Sequence, residues 1–270
     1  RLLASKRSAG KEIAFMGKTY TVEEATFDSF KGMDIALFAG GSISKDFAPH
    51  AVKAGAVVID NSSAFRMDPE VPLVVPEVNP QAILKHKGII ANPNCSTIIM
   101  VMALKPIYDL AKIKRVIVST YQAVSGAGKE GIDELDAQVR EHSEGREMTA
   151  NILPSASAEK HYPIAFNLIP QIDVFCDNLY TKEEMKMVNE TKKIMEDYEM
   201  RITATTIRVP VYRSHSESVN IELEKEVDLG AMREALAKFP GVTVQDDPSK
   251  QEYPMPLYTS EKDDVYVGRL

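Results

Sequence analysis

The stretch Met33-Asp34-Ile35-Ala36-Leu37-Phe38-Ala39-Gly40-Gly41-Ser42 decides how the fold is read. An apolar run suited to a buried strand stops at a glycine pair. A helical pattern follows, with Phe47, Ala48, Ala51 and Val52 on one face, and ends at Gly55. The alternation repeats outward: residues 56–60, 72–75 and 88–91 read as further buried strands. Short apolar strands separated by helices belong to a parallel sheet, because its crossover helices cover both faces. Ligands of such sheets sit beyond the carboxyl ends of the strands. Gly40-Gly41-Ser42, Asp60-Asn61-Ser62-Ser63 and Asn92-Pro93-Asn94-Cys95 fall at those ends.

Near Cys95 the pattern changes, and a domain boundary is expected there. A long helix is expected over residues 96–111, a strand over 115–122, a small-residue loop Ser125-Gly126-Ala127-Gly128-Lys129, and a helix over 130–142. Residues 144–162 read as loop. Thr181 with Glu184 three positions later forms a capping box that starts another helix. Residues 202–211 and 218–224 alternate apolar and polar side chains, as an antiparallel sheet with one wet face does.

The 270 residues include 32 Lys+Arg against 39 Asp+Glu, a net charge of −7, with 44% hydrophobic and 26% charged residues. That is ordinary globular usage and excludes a disordered chain. The longest apolar run, residues 98–104, falls far short of the roughly 20 residues of a membrane helix. Scattered cations in an acidic chain leave no footprint for nucleic acid. Two cysteines are too few for a disulfide framework, so a reducing compartment is expected, the cytoplasm. No Cys or His pairs have metal-ligand spacing. The chain opens on Arg1, without methionine and without a signal-peptide pattern.

Cys95 follows a turn sequence and directly precedes an apolar helix. A sulfur at a helix N-terminus meets unpaired N–H groups and the macrodipole, which stabilise a thiolate and an oxyanion formed by its attack on a carbonyl. The plainer reading of Cys95 is a small buried hydrophobe, and Cys176 reads as structural. For a proton partner, His50, His86 and His142 lie in polar stretches and read as surface residues. His161 could go either way, and His215 sits between two apolar-rich strands. Glu183 and Lys186, three apart on a helix, read as a simple ion pair. The loop Ser125-Gly126-Ala127-Gly128-Lys129 suits a phosphate but lacks the spacing of either nucleotide fingerprint.

Together these segments closely resemble the aspartate-semialdehyde dehydrogenase family. The resemblance runs through Ser5-Lys6-Arg7-Ser8-Ala9-Gly10-Lys11, Asp60-Asn61-Ser62-Ser63-Ala64-Phe65-Arg66, Val75-Pro76-Glu77-Val78-Asn79, Asn92-Pro93-Asn94-Cys95-Ser96-Thr97, Tyr121-Gln122-Ala123-Val124-Ser125-Gly126-Ala127-Gly128, Arg208-Val209-Pro210-Val211 and His215-Ser216-Glu217. It implies an α/β fold. A Rossmann-like parallel-sheet NADP-binding domain would span residues 1–94. An α+β catalytic and dimerisation domain with a mixed or antiparallel sheet would span residues 95–270.

The activity implied is reduction of an acyl phosphate in two steps, in lysine, threonine and methionine biosynthesis. Cys95 would attack L-aspartyl-4-phosphate and expel phosphate, and a hydride from the nicotinamide would then convert the thioester to aspartate semialdehyde. His215 would be the acid/base and Gln122 would orient the carbonyl. Asn94 would help hold substrate, Arg208 would fork onto the α-carboxylate, Glu183 would take the ammonium, and Arg66 and Lys186 the phosphate. A zwitterionic, phosphorylated substrate needs both signs nearby, which displaces the plain ion-pair reading of Glu183 and Lys186.

NAD-binding folds carry an acid after the second strand for the ribose 2′-hydroxyl. Here residues 2–8 contain none and hold two cations, which favours NADP, with Ser5, Arg7 and Ser8 near its 2′-phosphate. Gly40, Gly41, Asn61, Ser125, Gly126 and Gly128 complete the expected cofactor residues. A homodimer is implied, with no nucleic-acid or membrane partner. Against the family pattern, the first strand with its glycine loop and the returning C-terminal segment are expected to be absent, and Phe38-Ala39-Gly40-Gly41-Ser42 reads one residue short. The alternatives are N-acetyl-γ-glutamyl-phosphate reductase, whose acetylated nitrogen would not pair with Glu183, a cysteine hydrolase, and a non-catalytic truncated remnant.

Overall fold

A computed structural model describes residues 1–155 and 158–270. The chain divides into two compact units, one of Arg1–Val74 with Gln81–Asn92, the other of Val75–Pro80 with Pro93–Leu270.

In the first unit, β1 (Leu2–Ala4), β2 (Glu12–Phe15) and β3 (Lys18–Glu24) form a sheet ordered β1-β3-β2. Strand β1 runs parallel to β3, and β2 antiparallel to it. The β2–β3 turn places Met16 at φ 48° and Gly17 at φ 74°, the two positive values that a tight hairpin requires. Strand β4 (Ile35–Phe38), helix α1 (Ser44–Lys53), β5 (Val57–Asp60) and β6 (Ile89–Ala91) follow, and β4-β5-β6 is wholly parallel. The face read from the sequence packs as expected: Ala48 and Ala51 are buried against Phe30, Ala56 and Val58, with Phe47 and Val52 at the margin. Ile35 and Leu37 are exposed, so the sheet is not covered on both faces at its β4 edge. Residues 72–75 do not form the expected strand. Only Leu73 bridges to Ala91, and Pro72 and Pro76 on either side cannot donate to a ladder.

The second unit contains α2 (Cys95–Leu110), β7 (Ile113–Gln122), α3 (Gly128–Ser143), α4 (Lys182–Met195), β8 (Arg201–Arg208) and β9 (Ser216–Leu223). Its sheet is ordered β8-β7-β9 and is mixed. Strand β8 lies parallel to β7 from Arg115↔Arg201 to Gln122↔Arg208, and only β9 is antiparallel. Val116, Val118 and Ala204 on one face pack against Met100, Leu104 and Met187 of the helices. Helix α5 (Leu229–Lys238), strand β10 (Val242–Val244), α6 (Pro256–Thr259) and β11 (Val265–Val267) follow, with β10 and β11 paired in parallel.

Within 144–162, Ala156 and Ser157 lie outside the described residues. The rest is irregular but held by buried side chains of α3. Glu134 accepts from the Asn151, Ile152 and Leu153 N–H groups at 2.6, 2.8 and 3.2 Å. Gln138 Oε1 accepts from the Ile164 and Ala165 N–H groups at 2.8 and 3.0 Å.

The capping box at α4 is present: Thr181 Oγ1 accepts from Glu184 N at 3.2 Å, and Glu184 Oε2 accepts from Thr181 N at 2.7 Å. Glu184 Oε1 also accepts from Thr206 N of β8 at 3.0 Å, so one carboxylate ties α4 to the sheet edge. Glu184→Ala strands two buried N–H donors and should cost about 2–4 kcal/mol in urea unfolding. Glu184→Gln, which keeps an acceptor, should cost less; equal losses would discount the hydrogen bonds.

Candidate active site

Helix α2 begins at Cys95 because Asn94 caps it. Asn94 is extended (φ −61°, ψ 145°), and its Oδ1 accepts from Ser96 N and Thr97 N at 3.0 and 3.2 Å. Two carboxylates of α4 hold the same residue. Asn94 N donates to Glu190 Oε2 at 2.6 Å, and Asn94 Nδ2 donates to Glu183 Oε1 at 2.8 Å. The side chain expected to help hold substrate therefore caps α2 and steadies Glu183. Glu190, nearly inaccessible, was not singled out from the sequence, where it looks like any other acid of a charged helix.

Glu183 is only 5% exposed and is fully engaged. Its Oε1 also accepts from Gln122 Nε2 at 3.3 Å, and its Oε2 from Lys186 Nζ at 3.0 Å. Gln122 Nε2 donates to Thr120 Oγ1 at 3.3 Å as well. The spacing-based ion pair of Glu183 and Lys186 is thus present, and it has a third member. Asp173 Oδ2 accepts from Lys186 Nζ at 3.0 Å. No local pattern marks Asp173, which lies 13 positions from Lys186 in irregular chain.

Arg208 ends β8 opposite Gln122 of β7. It is 3% exposed, and its Nη1 donates to the Ala123 carbonyl at 2.7 Å. Its Nε is buried without a hydrogen-bond partner among the described residues. Burial lowers its pKa, while Glu183 and Cys95 act in the opposite direction. A buried, unpaired guanidinium donor is a costly state that an anionic ligand would relieve.

His215 opens towards the same groups. It follows Ser214, which is left-handed at φ 70°, and its Nδ1 accepts the Ala123 N–H at 3.1 Å. Neutral His215 therefore carries its proton on Nε2. Burial first, then the Arg208 charge, push its pKa down to about 4, against a smaller pull from Glu183. Gly126 lies against both partners: a Cβ there would stand 2.7 Å from Arg208 Nη1 and 3.3 Å from His215 Nε2. Ser125 shares its short helical turn, and Gly128, at φ 80° and ψ −167°, occupies a region essentially confined to glycine.

Cys95 is exposed, yet the protein around it desolvates the thiol and pushes its pKa up, with Glu183 adding to the shift. The Ser96 backbone N–H and hydroxyl at the helix start, and the Arg208 charge, pull the other way. The expected thiolate stabilisation by the helix N-terminus exists, but desolvation outweighs it. Cys176 sits apart in a turn, its N–H donating to the Tyr180 carbonyl at 2.7 Å. His50 stacks on Phe27 and His142 lies beside Phe166, while His86 Nδ1 accepts from Gly88 N.

The remaining expected residues lie in the first unit. Arg66 is buried, its Nε donating to the Asn92 carbonyl at 2.9 Å and its Nη2 to the Asn61 carbonyl at 3.0 Å. Asn61 Nδ2 donates to the Phe38 carbonyl at 3.0 Å. Gly40 and Gly41 follow β4, and Gly41 has φ 64°. Ser5 and Ser8 form the turn after β1, closed by Ser8 N donating to Ser5 O at 2.8 Å. Arg7 projects from that turn, exposed, as does Lys6; neither makes an ion pair among the described residues. An exposed turn with two unpaired cations fits a phosphate-bearing nucleotide.

Residues 1–86 match the NAD binding domain of semialdehyde dehydrogenases, and residues 104–270 match their dimerisation domain. The class is therefore that of the semialdehyde dehydrogenases, oxidoreductases with a nucleotide-binding part and a dimerisation part. The aspartate-semialdehyde dehydrogenase of Aquifex aeolicus is 57% identical over 273 residues, covering 100% of this chain and 78% of its own length. That of Bacillus subtilis is 55% identical over 271 residues, with the same coverage. The crystal structure of aspartate semialdehyde dehydrogenase II from Vibrio cholerae superposes with a TM-score of 0.93 at 47% identity, over 99% of this chain and 78% of that one; it has also been solved complexed with ASA. The chain belongs to the aspartate-semialdehyde dehydrogenase family and is an enzyme of this type. Among the described residues, no helix is long and apolar enough to cross a membrane.

Two titrations check this electrostatic picture. The His215 imidazole should titrate near pH 4 by NMR, and Arg208→Gln should raise its midpoint; a wild-type midpoint near 6.5 would mean the ring is hydrated. Alkylation of Cys95 by iodoacetamide should need a higher pH than free cysteine, and Glu183→Gln should lower that requirement.

Proposed function

We propose that this chain reduces L-aspartyl-4-phosphate to L-aspartate 4-semialdehyde and phosphate through a thioester on Cys95, with NADPH as reductant, in lysine, threonine and methionine biosynthesis. The observation that carries the reading is the buried, partnerless Nε of Arg208 in the same electrostatic neighbourhood as Cys95, Glu183 and His215. That neighbourhood offers a donor for an α-carboxylate, an acid for an ammonium, a nucleophile and a proton-handling ring. A buried carboxylate at Glu183 suits a free ammonium better than the acetylated nitrogen of a γ-glutamyl substrate.

Cys95 sulfur bonds to the acyl carbon, and the carbon–oxygen bond to phosphate breaks. Gln122 Nε2 is assigned to the reacting carbonyl, and Arg66 and Lys186 to phosphate. In its resting tautomer His215 presents Nε2–H, which suits stabilising the thiolate and protonating the tetrahedral oxyanion. Taking the thiol proton at that nitrogen requires the Ala123 hydrogen bond to open, because Nδ1 would then carry a proton facing another N–H. Ser5, Arg7 and Ser8 are assigned to the 2′-phosphate of NADP, and Gly40, Gly41, Asn61, Ser125, Gly126 and Gly128 to the rest of the cofactor. The nicotinamide, when bound, supplies the hydride. The match to a dimerisation domain, together with Ile117 and Tyr121 exposed on the outward face of β7, supports a homodimer. Both cysteines are free thiols, in keeping with a cytoplasmic setting.

Phosphate-dependent reduction of NADP by aspartate semialdehyde tests the reading. Cys95→Ala should abolish it, whereas Cys176→Ala should leave it nearly intact. Arg208→Lys keeps the charge but loses the fork, and kcat/KM should fall about 10- to 100-fold. Full activity in Arg208→Lys would remove this residue from the carboxylate role. For the cofactor, Arg7→Ala should raise the KM for NADP about tenfold and barely change that for NAD. Equal effects on both would sink the 2′-phosphate assignment.

A further inference from the structure

Lys186 stands between two acids at equal distance, 3.0 Å from Glu183 Oε2 and 3.0 Å from Asp173 Oδ2. The two are not equivalent. The Glu183 side chain is 6% exposed and committed to Asn94 and Gln122 through its other oxygen. The Asp173 side chain is 32% exposed. Asp173 is held with its backbone at φ 67°, a left-handed conformation that a non-glycine residue adopts at a cost. Its Oδ1 accepts from Val174 N at 2.8 Å and its carbonyl from Gln171 Nε2 at 3.1 Å. These bonds leave Oδ2 for the lysine. Glu183, Asp173, Lys186 and Arg208 together carry no net charge, so an incoming cation that takes Glu183 displaces Lys186 from one of its two anions.

We infer that Asp173 is a specificity-determining positioning residue: it is the second seat of Lys186, and it releases Glu183 to bind the ammonium of an amino-acid substrate. The inference rests on the assignment of that ammonium to Glu183. Without Asp173, Lys186 has Glu183 as its one carboxylate partner of the pair and competes with the substrate ammonium for it. With Asp173 in place, the lysine stays paired while Glu183 changes partner. The residue acts through Lys186 and needs no contact with the reacting carbon.

The test compares aspartate semialdehyde with succinate semialdehyde, which has the same carbon chain but no ammonium. Asp173→Asn keeps the side-chain shape, leaves an acceptor for Val174 N, and tolerates the left-handed backbone. It should reduce the preference for the amino substrate, as a ratio of kcat/KM values, about tenfold, mainly through KM. Asp173→Glu should restore part of that preference. Competitive inhibition by L-aspartate and by succinate reads the same difference without turnover, and the L-aspartate Ki should rise alone. A parallel loss with both substrates, or no change in either, would overturn the proposal, since a merely structural ion pair does not distinguish them. Glu183→Gln is the control. If it leaves the preference intact, the ammonium assignment fails and the inference falls with it. If Glu183→Gln erases the preference while Asp173→Asn keeps it, only the role of Asp173 is refuted.

Discussion

Every polar atom of Asn94 is engaged. Its side-chain oxygen caps α2, its side-chain nitrogen holds Glu183, its backbone N–H is held by Glu190, and its carbonyl accepts from Ile98 N. One residue therefore fixes where the helix starts, how Cys95 is presented, and which way the acid of α4 faces. A helix start leaves several N–H groups unpaired. Here the cap takes two and leaves the sulfur at the head of the helix. Because Glu183 in turn collects Gln122 and Lys186, displacement of this turn would propagate into the sheet and into the charge cluster.

Buried acids do the corresponding work elsewhere in the second unit. Glu184 joins the start of α4 to β8, and Glu134 of α3 gathers three successive backbone N–H groups of an otherwise irregular segment. A carboxylate in a poorly hydrated place is tolerable only when its lone pairs are satisfied. These acids meet that condition with backbone donors, so they order loops that no helix or strand would order.

The same desolvation sets the Cys95 thiol and the His215 ring. It raises the Cys95 thiol and lowers His215, so near neutral pH the resting pair is thiol and neutral imidazole rather than thiolate and imidazolium. Arg208 favours the thiolate and disfavours the imidazolium, whereas Glu183 does the reverse. Neutralising Glu183 would lower both pKa values and neutralising Arg208 would raise both, so a ligand bound at either charge shifts thiol and imidazole together.

Much of this was legible one residue after another. Short apolar runs marked β4, β5 and β6, the Thr181–Glu184 box marked α4, and Asn92-Pro93-Asn94 before an apolar helix placed Cys95 at a helix start, all from interactions within a few residues. The β2–β3 hairpin escaped notice because only Val22 of it is buried, so no apolar alternation announces it. The direction of β8 was equally hidden, since alternation of side chains is the same in parallel and antiparallel strands. By itself the sequence determined the α/β class and the family, and it placed Cys95 at a helix start, through local patterns and an ordered set of motifs. Only the tertiary structure decided that Glu190 holds the cysteine turn, that Asp173 shares Lys186, and that the thiol is held up rather than down. Those outcomes depend on burial and on contacts between residues distant in the chain, which no local spacing encodes.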